Sequence, residues 1–469
     1  MTDLLPDDDA RAVATPDVDA ELVENIGALV EARQEGMVLN LVADLYPADL
    51  EQVLSHLPAE TADTLFHWLP TEQASEVLPE LDDDFRAELL EETTTARLTE
   101  LFDEMDSDDV ADVLADLPDD VAQRVLPTLE DAEDVGNLLG YAEDTAGGLM
   151  AREYVAVPWN HTVDQATEEV RRKAEEVDPV YVIYVVDDHA ALIGIVTLKR
   201  LLLTPSGVLL QDIMDADFVS VGAGEDQEEV ARLFERYDLL AIPVVDQEGQ
   251  ILGRITIDDV VDVIREEAEE DMQRMSGTAD EQPNDSIWEI VRSRIVWLYI
   301  GLAGALLCGG VIMGFEDQLS SNIALAFFIP VVMAMAGNAG IQSSSIAVQG
   351  IASGDLWTND VFKRLGKELL VSICTGLLLS LVLALIVVGL GTVGAHFLAE
   401  TTSVVRLAAV VGLALTLVII LATTLGATIP LLLDRVNIDP ALATGPFITT
   451  SNDLLGLAIF FLLSAALLS

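Results

Sequence analysis

The chain has 469 residues, with 81 Asp and Glu against 23 Lys and Arg, a net charge of −58. Half of it is hydrophobic (51 %), and the mean hydropathy is +0.40. So acidic a surface repels phosphate backbones, which argues against nucleic-acid partners and favours cations; so apolar a chain is not a disordered one. Two cysteines, Cys308 and Cys374, without a CxxC or Cys/His cluster, exclude a disulfide scaffold and a structural zinc site.

The charge is unevenly spread. Residues 1–282 carry 70 acids and 16 bases, whereas residues 283–469 carry 11 and 7. An acidic water-soluble part therefore precedes an apolar one. The N-terminus has no basic and apolar leader pattern and is read as no secretory signal. Residues 1–20 are rich in Asp, Ala and Pro and read as disordered.

Residues 21–145 read as short amphipathic helices. Related phrases recur: LYPADLEQVLSHLP, LPTEQASEVLPEL and MDSDDVADVLADLPDDVAQRVLPTL. Leu-Pro or an acidic cap starts each helix, and apolar residues follow at i, i+3 and i+4. Recurring helical units predict an α-superhelical stack.

From residue 146 strands and helices alternate. YVVDDHAALIGIVTLKRL and IPVVDQEGQILGRITIDDVV are two copies of one hairpin-plus-helix phrase, within a unit that repeats after about 65 residues. They resemble a tandem pair of CBS domains, α+β modules at 146–208 and 209–264 that pair into one disc. The resemblance implies an adenosine nucleotide such as ATP as a ligand of the pair. A charged helix and linker, 265–290, then lead to the apolar part as a connecting, or plug, segment.

Residues 291–469 hold five candidate spans, at 295–315, 323–351, 369–390, 404–433 and 447–468, each at least as long as the 20 or so residues that a bilayer needs, the fourth long enough to span with tilt. The second reads as interrupted, because Pro330 removes a helix bond and Gly337, Asn338, Gly340 and Gln342 put polar and flexible positions at membrane depth. These four, with Pro330, are the candidate pore wall. Arg292, Arg294, Lys363, Arg364, Lys367 and Arg435 all fall on one side, which places the soluble part in the cytoplasm and the C-terminus outside.

The fifth span carries Asp453 beside Thr449, Thr450 and Asn452. An ionised carboxylate in a membrane helix is costly and marks function by default. No Lys or Arg sits near it in any span to pair with it, so its simplest partner is a cation. A cation that keeps its waters, as Mg²⁺ does, suits one or two carboxylates among hydroxyl and carbonyl oxygens.

Together these features resemble the MgtE family of Mg²⁺ channels and transporters over nearly the whole chain. The most specific phrases are AGGLM (146–150), PVVMAMAGNAGIQS (330–343) and DPALATGPFITTSNDLLGL (439–457). The resemblance implies a homodimer in the cell membrane, with Asp453 of each subunit holding hydrated Mg²⁺ in a pore at the interface. It also implies that Mg²⁺ ions bound between the soluble pieces close the pore. The matching acids are Glu76, Asp108 and Asp112 in the helical domain, and Asp226, Glu228 and Asp238 in the second CBS module. Asp259, Asp262, Glu267, Glu270 and Asp271 follow in the connecting helix. Where the family commonly has Asn before the Pro of the fifth span, this chain has Gly445, which removes an amide oxygen from the inner mouth. The surplus acidity reads as adaptation to high salt, where charges are screened within about 3 Å at 1 M.

No P-loop and no catalytic constellation is present, so an enzyme is not expected. The reading is a Mg²⁺-gated Mg²⁺ channel admitting Mg²⁺ to the cytoplasm; the alternative is a membrane receptor that responds to nucleotide or Mg²⁺ and conducts nothing.

Overall fold

The computed structural model describes residues 18–91, 93–174, 177, 179–278, 286–352, 361–392, 403–436, 438–443 and 445–468. The expected disordered N-terminus lies almost wholly outside them. The chain divides into two compact units, Met1–Val263 and Ile264–Ser469.

The first unit begins with ten short helices. Leu-Pro junctions set their lengths: Pro58, Pro70 and Pro118 stand at the N-caps of α4 (Ala59–Trp68), α5 (Thr71–Val77) and α9 (Asp119–Val125), and Pro47 opens α3 (Pro47–His56). Packing skips one helix at a time. The α3 helix lies on α5, α5 on α7 (Thr95–Phe102) and α7 on α9, while α6 (Asp83–Glu91) lies on α8 (Ser107–Asp116) and α8 on α10 (Ala132–Leu138). That alternation is the expected superhelical stack. Leu50, Leu54, Leu65, Leu78, Leu90, Leu98 and Leu101 fill its axis, all essentially inaccessible to solvent.

Two three-stranded sheets follow, one of β1 (Ala156–Pro158), β2 (Val182–Val186) and β3 (Leu192–Thr197), the other of β4 (Val221–Gly222), β5 (Ala241–Val245) and β6 (Ile251–Thr256), each in that order. In each, the middle strand runs parallel to the first and antiparallel to the third. Asp187 and Asp246 make the same hairpin turn, each accepting two backbone N–H bonds through Oδ1. The modules join hairpin to hairpin through Ala191 and Gln250. The helical stack shares one continuous core with the second module, whereas the first module has its own. The AGGLM segment makes that junction: Ala146 and Gly147 donate to the Glu225 and Ala223 carbonyls. A side chain at Gly147 would meet the Tyr141 ring and the Ala223 oxygen.

The second unit contains five helices long and apolar enough to span a bilayer: Ile290–Gly314, Ile323–Ala352, Lys363–Gly391, Val404–Asp434 and Phe447–Leu468. The second departs from expectation. Its irregular part is a 3₁₀ turn, Ile323–Phe328, at its start; from Ile329 to Ala352 the α-helix runs unbroken through Gly337, Asn338 and Gly340. Pro330 is the helix's second residue, where its missing N–H has no intrahelical partner to lose, so no interruption arises. The second, fourth and fifth spans pack together as the centre of this unit.

Candidate pore and carboxylate clusters

Asp453 is the ninth residue of the last helix, Gly445–Leu468, about 12 Å along its axis and well inside the fifth span. It is half-buried, and among the described residues neither an ion pair nor a hydrogen bond engages it. The neighbouring Asn452 is buried, and both of its amide atoms lack a partner.

The expected pore wall divides into two faces. Gly337 and Gly340 face inward. A methyl at Gly340 would collide with the Asn452 amide, and Gly337 lies against the Thr449 methyl. Gly426 of the fourth span in turn admits the Gly340 carbonyl, which a β-carbon there would meet. These glycines serve helix contact. Asn338 and Gln342, one turn apart, lie instead on the exposed face with Pro330 and Ala334. Polar groups at membrane depth need a protein or water partner, so this face belongs against a cavity or another chain. Thr450 fills the notch left by Gly304 of the first span, and the Thr449 hydroxyl donates to the Gly445 carbonyl at 2.8 Å. Both threonine side chains are thus spent on packing.

In the soluble unit, carboxylates crowd the start of α8. Asp106 is the N-cap, and Asp108, Asp109 and Asp112 follow on the helix. Across from them, Asp259 opens α14 (Ile257–Ser276), its Oδ2 accepting from the Thr256 N–H and hydroxyl at 3.2 and 2.9 Å. Glu153 accepts from the Ser107 hydroxyl at 2.9 Å, and buried Arg254 brings one positive charge.

Burial, reinforced by Glu153, pushes Asp106 up to about 7. Burial, then Asp259 and Asp106, pushes Asp109 up to about 8. Asp108, 7 % exposed, is raised by burial and by Asp109 and Asp259. Asp112 reaches the surface at the rim, yet the surrounding protein still lifts it to about 7 against the pull of Arg86. Asp259 rises to about 6 through burial and Asp258. Buried like charges of this kind require protons or cations to offset them. Among the described residues no three His, Cys, Asp or Glu converge tightly enough to hold a bare ion. The cluster therefore suits ions that keep part of their water.

Three expected sensor residues, Asp108, Asp112 and Asp259, thus meet. Glu267, Glu270 and Asp271 gather at the far end of α14 around Asp439 of the membrane unit, which helps burial raise Asp271 to about 6. The others have local roles: Asp226 caps α13 (Gln227–Tyr237), Glu228 pairs with Arg232, and Asp238 ends that helix with φ +51°. Glu76 is exposed on α5 and Asp262 on α14. Sequence reasoning missed Asp106, Asp109, Glu153 and Asp439. The four aspartates in seven residues at 106–112 were the available signal for the first two.

Comparison with known proteins follows the same division. Residues 45–144 match the family described as the MgtE intracellular N domain, 210–266 the CBS domain, and 329–463 the divalent cation transporter family MgtE. The chain is 36 % identical to a Thermus thermophilus magnesium transporter MgtE over 94 % of its length and 98 % of the relative's. It is 31 % identical to the Bacillus subtilis magnesium transporter MgtE over 91 % and 93 %. A solved structure, the cytosolic domain of the Mg²⁺ channel MgtE in complex with ATP, is 37 % identical, with 51 % of this chain and 99 % of that one covered and a TM-score of 0.48.

Proposed function

The chain belongs to the MgtE family of magnesium transporters, and on that premise we propose that it is a homodimeric Mg²⁺ channel closed by Mg²⁺ on its cytoplasmic side. The observation that carries the reading is Asp453: a carboxylate two turns inside a spanning helix, with no cationic side chain paired to it among the described residues. Mg²⁺ is the cargo. A hydrated divalent ion passing two such carboxylates finds long-range attraction without a cage that would trap it. Entry into a negative interior releases about 4.6 kcal/mol per 100 mV, twice the single-charge value, and needs no ATP hydrolysis.

The homodimer is supported by two features. Asn338 and Gln342 present amides on an exposed membrane-depth face. Leu202 and Val261 hold equivalent places in the two CBS modules, five residues beyond Thr197 and Thr256, and are 68 % and 57 % exposed. Paired apolar positions on a pseudo-symmetric disc fit contact with a second disc. Inward orientation, with the C-terminus outside, rests on the basic residues flanking the spans. Closure rests on the carboxylate clusters: bound Mg²⁺ would draw the soluble pieces together, and its loss would let them repel. An adenosine nucleotide at the CBS pair belongs to the same reading, as a ligand that adjusts this response.

The decisive experiment is Mg²⁺ uptake by liposomes carrying the purified protein or its Asp453→Ala variant. The channel reading expects uptake by the first and background uptake by the second, folded, variant. Equal uptake by both would remove Asp453 from the pore, and no uptake by folded wild type would favour a non-conducting receptor.

A further inference from the structure

The membrane unit includes the last two thirds of α14, and this stretch ends against the turn that precedes the fifth span. Arg274 bridges the two segments there: its guanidinium reaches Asp439 Oδ2 at 2.5 Å and also pairs with Glu270 one turn back. The other oxygen of Asp439 accepts the Ala441 N–H at 2.7 Å, which fixes the short 3₁₀ turn Pro440–Ala443. Glu267, Glu270, Asp271 and Asp439 would otherwise repel one another, so one guanidinium holds together segments that their own charges drive apart.

Gly445 supplies the second, independent observation. Its φ is +53°, and a β-carbon there would collide with the Met275 carbonyl oxygen. The end of the helix therefore sits directly on the backbone that starts the fifth span. The glycine that removes an amide oxygen from the inner mouth is also the space that the end of the helix occupies.

We propose that Arg274 and Asp439 form a latch that seats the connecting helix on the inner mouth, with Gly445 as its socket. Arg274 is a fixed cation inside an acidic site, so the helix docks before a divalent ion binds, and Mg²⁺ completes closure rather than starting it. Arg274 is a positioning residue: it acts through the placement of the helix and touches no transported ion. The inference rests on the channel reading for its flux readout but not for its structural one.

The test uses the full-length protein in liposomes. Flux is measured at low Mg²⁺ on the soluble side for wild type, Arg274→Gln, Asp439→Asn, Arg274→Lys and the exchange Arg274→Asp with Asp439→Arg. In parallel, spin labels at positions 272 and 442 report the seating distance. A partly exposed ion pair leads us to expect about a two- to five-fold rise in low-Mg²⁺ flux for each neutral variant. A broader label distance should accompany it, with recovery of both by Arg274→Lys and by the exchange. Unchanged flux and distance in both neutral variants would overturn the latch, as would an exchange that recovers neither. If wild type carries no flux, the channel reading falls, while the label distances still decide whether the pair seats the helix.

Discussion

The two units bury the same chemical group in opposite ways. The soluble unit gathers Asp106, Asp108, Asp109, Asp112 and Asp259 so closely that burial and neighbouring carboxylates raise the affinity of each for protons. The membrane unit isolates Asp453 among apolar helices and small residues. A crowd of carboxylates gains most from an ion that stays. On the proposed channel reading, a solitary one in each of two subunits would attract an ion without retaining it, so sensing and passage would differ in the number of negative charges that share a volume, with no change in ligand type.

The comparison breaks most sharply at Asp453. Asp453→Asn keeps the shape and removes the charge; Mg²⁺ flux should fall to background while the protein stays folded and assembled, checked by size-exclusion chromatography. The soluble cluster should respond in stability instead. In thermal unfolding at pH 8, Mg²⁺ at a hundred times its Kd should stabilise this unit by about 2.7 kcal/mol. Asp259→Asn and Asp108→Asn should each remove much of that gain.

Protons should replace Mg²⁺ in the same cluster. Asp106, Asp109 and Asp112 stand at about 7, 8 and 7 in the folded unit, above the unfolded carboxylate value near 4. The folded state binds protons more tightly, so without Mg²⁺ the unit should gain stability as pH falls from about 8 towards 5 and lose it as pH rises again. Mg²⁺ should accordingly stabilise less at pH 5 than at pH 8. Burying a charge in the expected CBS contact, Leu202→Asp with Val261→Asp, should weaken dimerisation about tenfold or roughly 1.4 kcal/mol, measured by sedimentation. Gly340→Ala should act on packing alone: its methyl overlaps the Asn452 amide, and overpacking should cost about 1–3 kcal/mol without altering ion preference.

Much of this architecture is legible in the sequence, for physical reasons. Long apolar runs have no stable home except a membrane, so the spans stand out. The paired hairpins at Asp187 and Asp246 repeat residue for residue, and the Leu-Pro junctions punctuate the helical stack. The faces of the second span were not legible. Its small and apolar residues run all around the helix, so periodicity could not separate the packing glycines, Gly337 and Gly340, from the exposed amides of Asn338 and Gln342. Pro330 reads as a break in the sequence because nothing there shows that the helix starts at Ile329. In a chain with 81 acids, Asp106 and Asp109 resemble any solvated charge until α8 is seen to turn them towards Asp259. The Arg274–Asp439 pair joins residues 165 positions apart, which no local pattern signals.

The most direct test of the central claim is Mg²⁺ flux through the reconstituted protein as Mg²⁺ is raised on the side of the soluble unit. Flux that falls steadily as that Mg²⁺ rises, and that no longer falls when Asp108 and Asp259 are both made Asn, is the predicted result. Flux indifferent to soluble-side Mg²⁺ would contradict the account, leaving a pore at Asp453 and a carboxylate cluster that does not govern it.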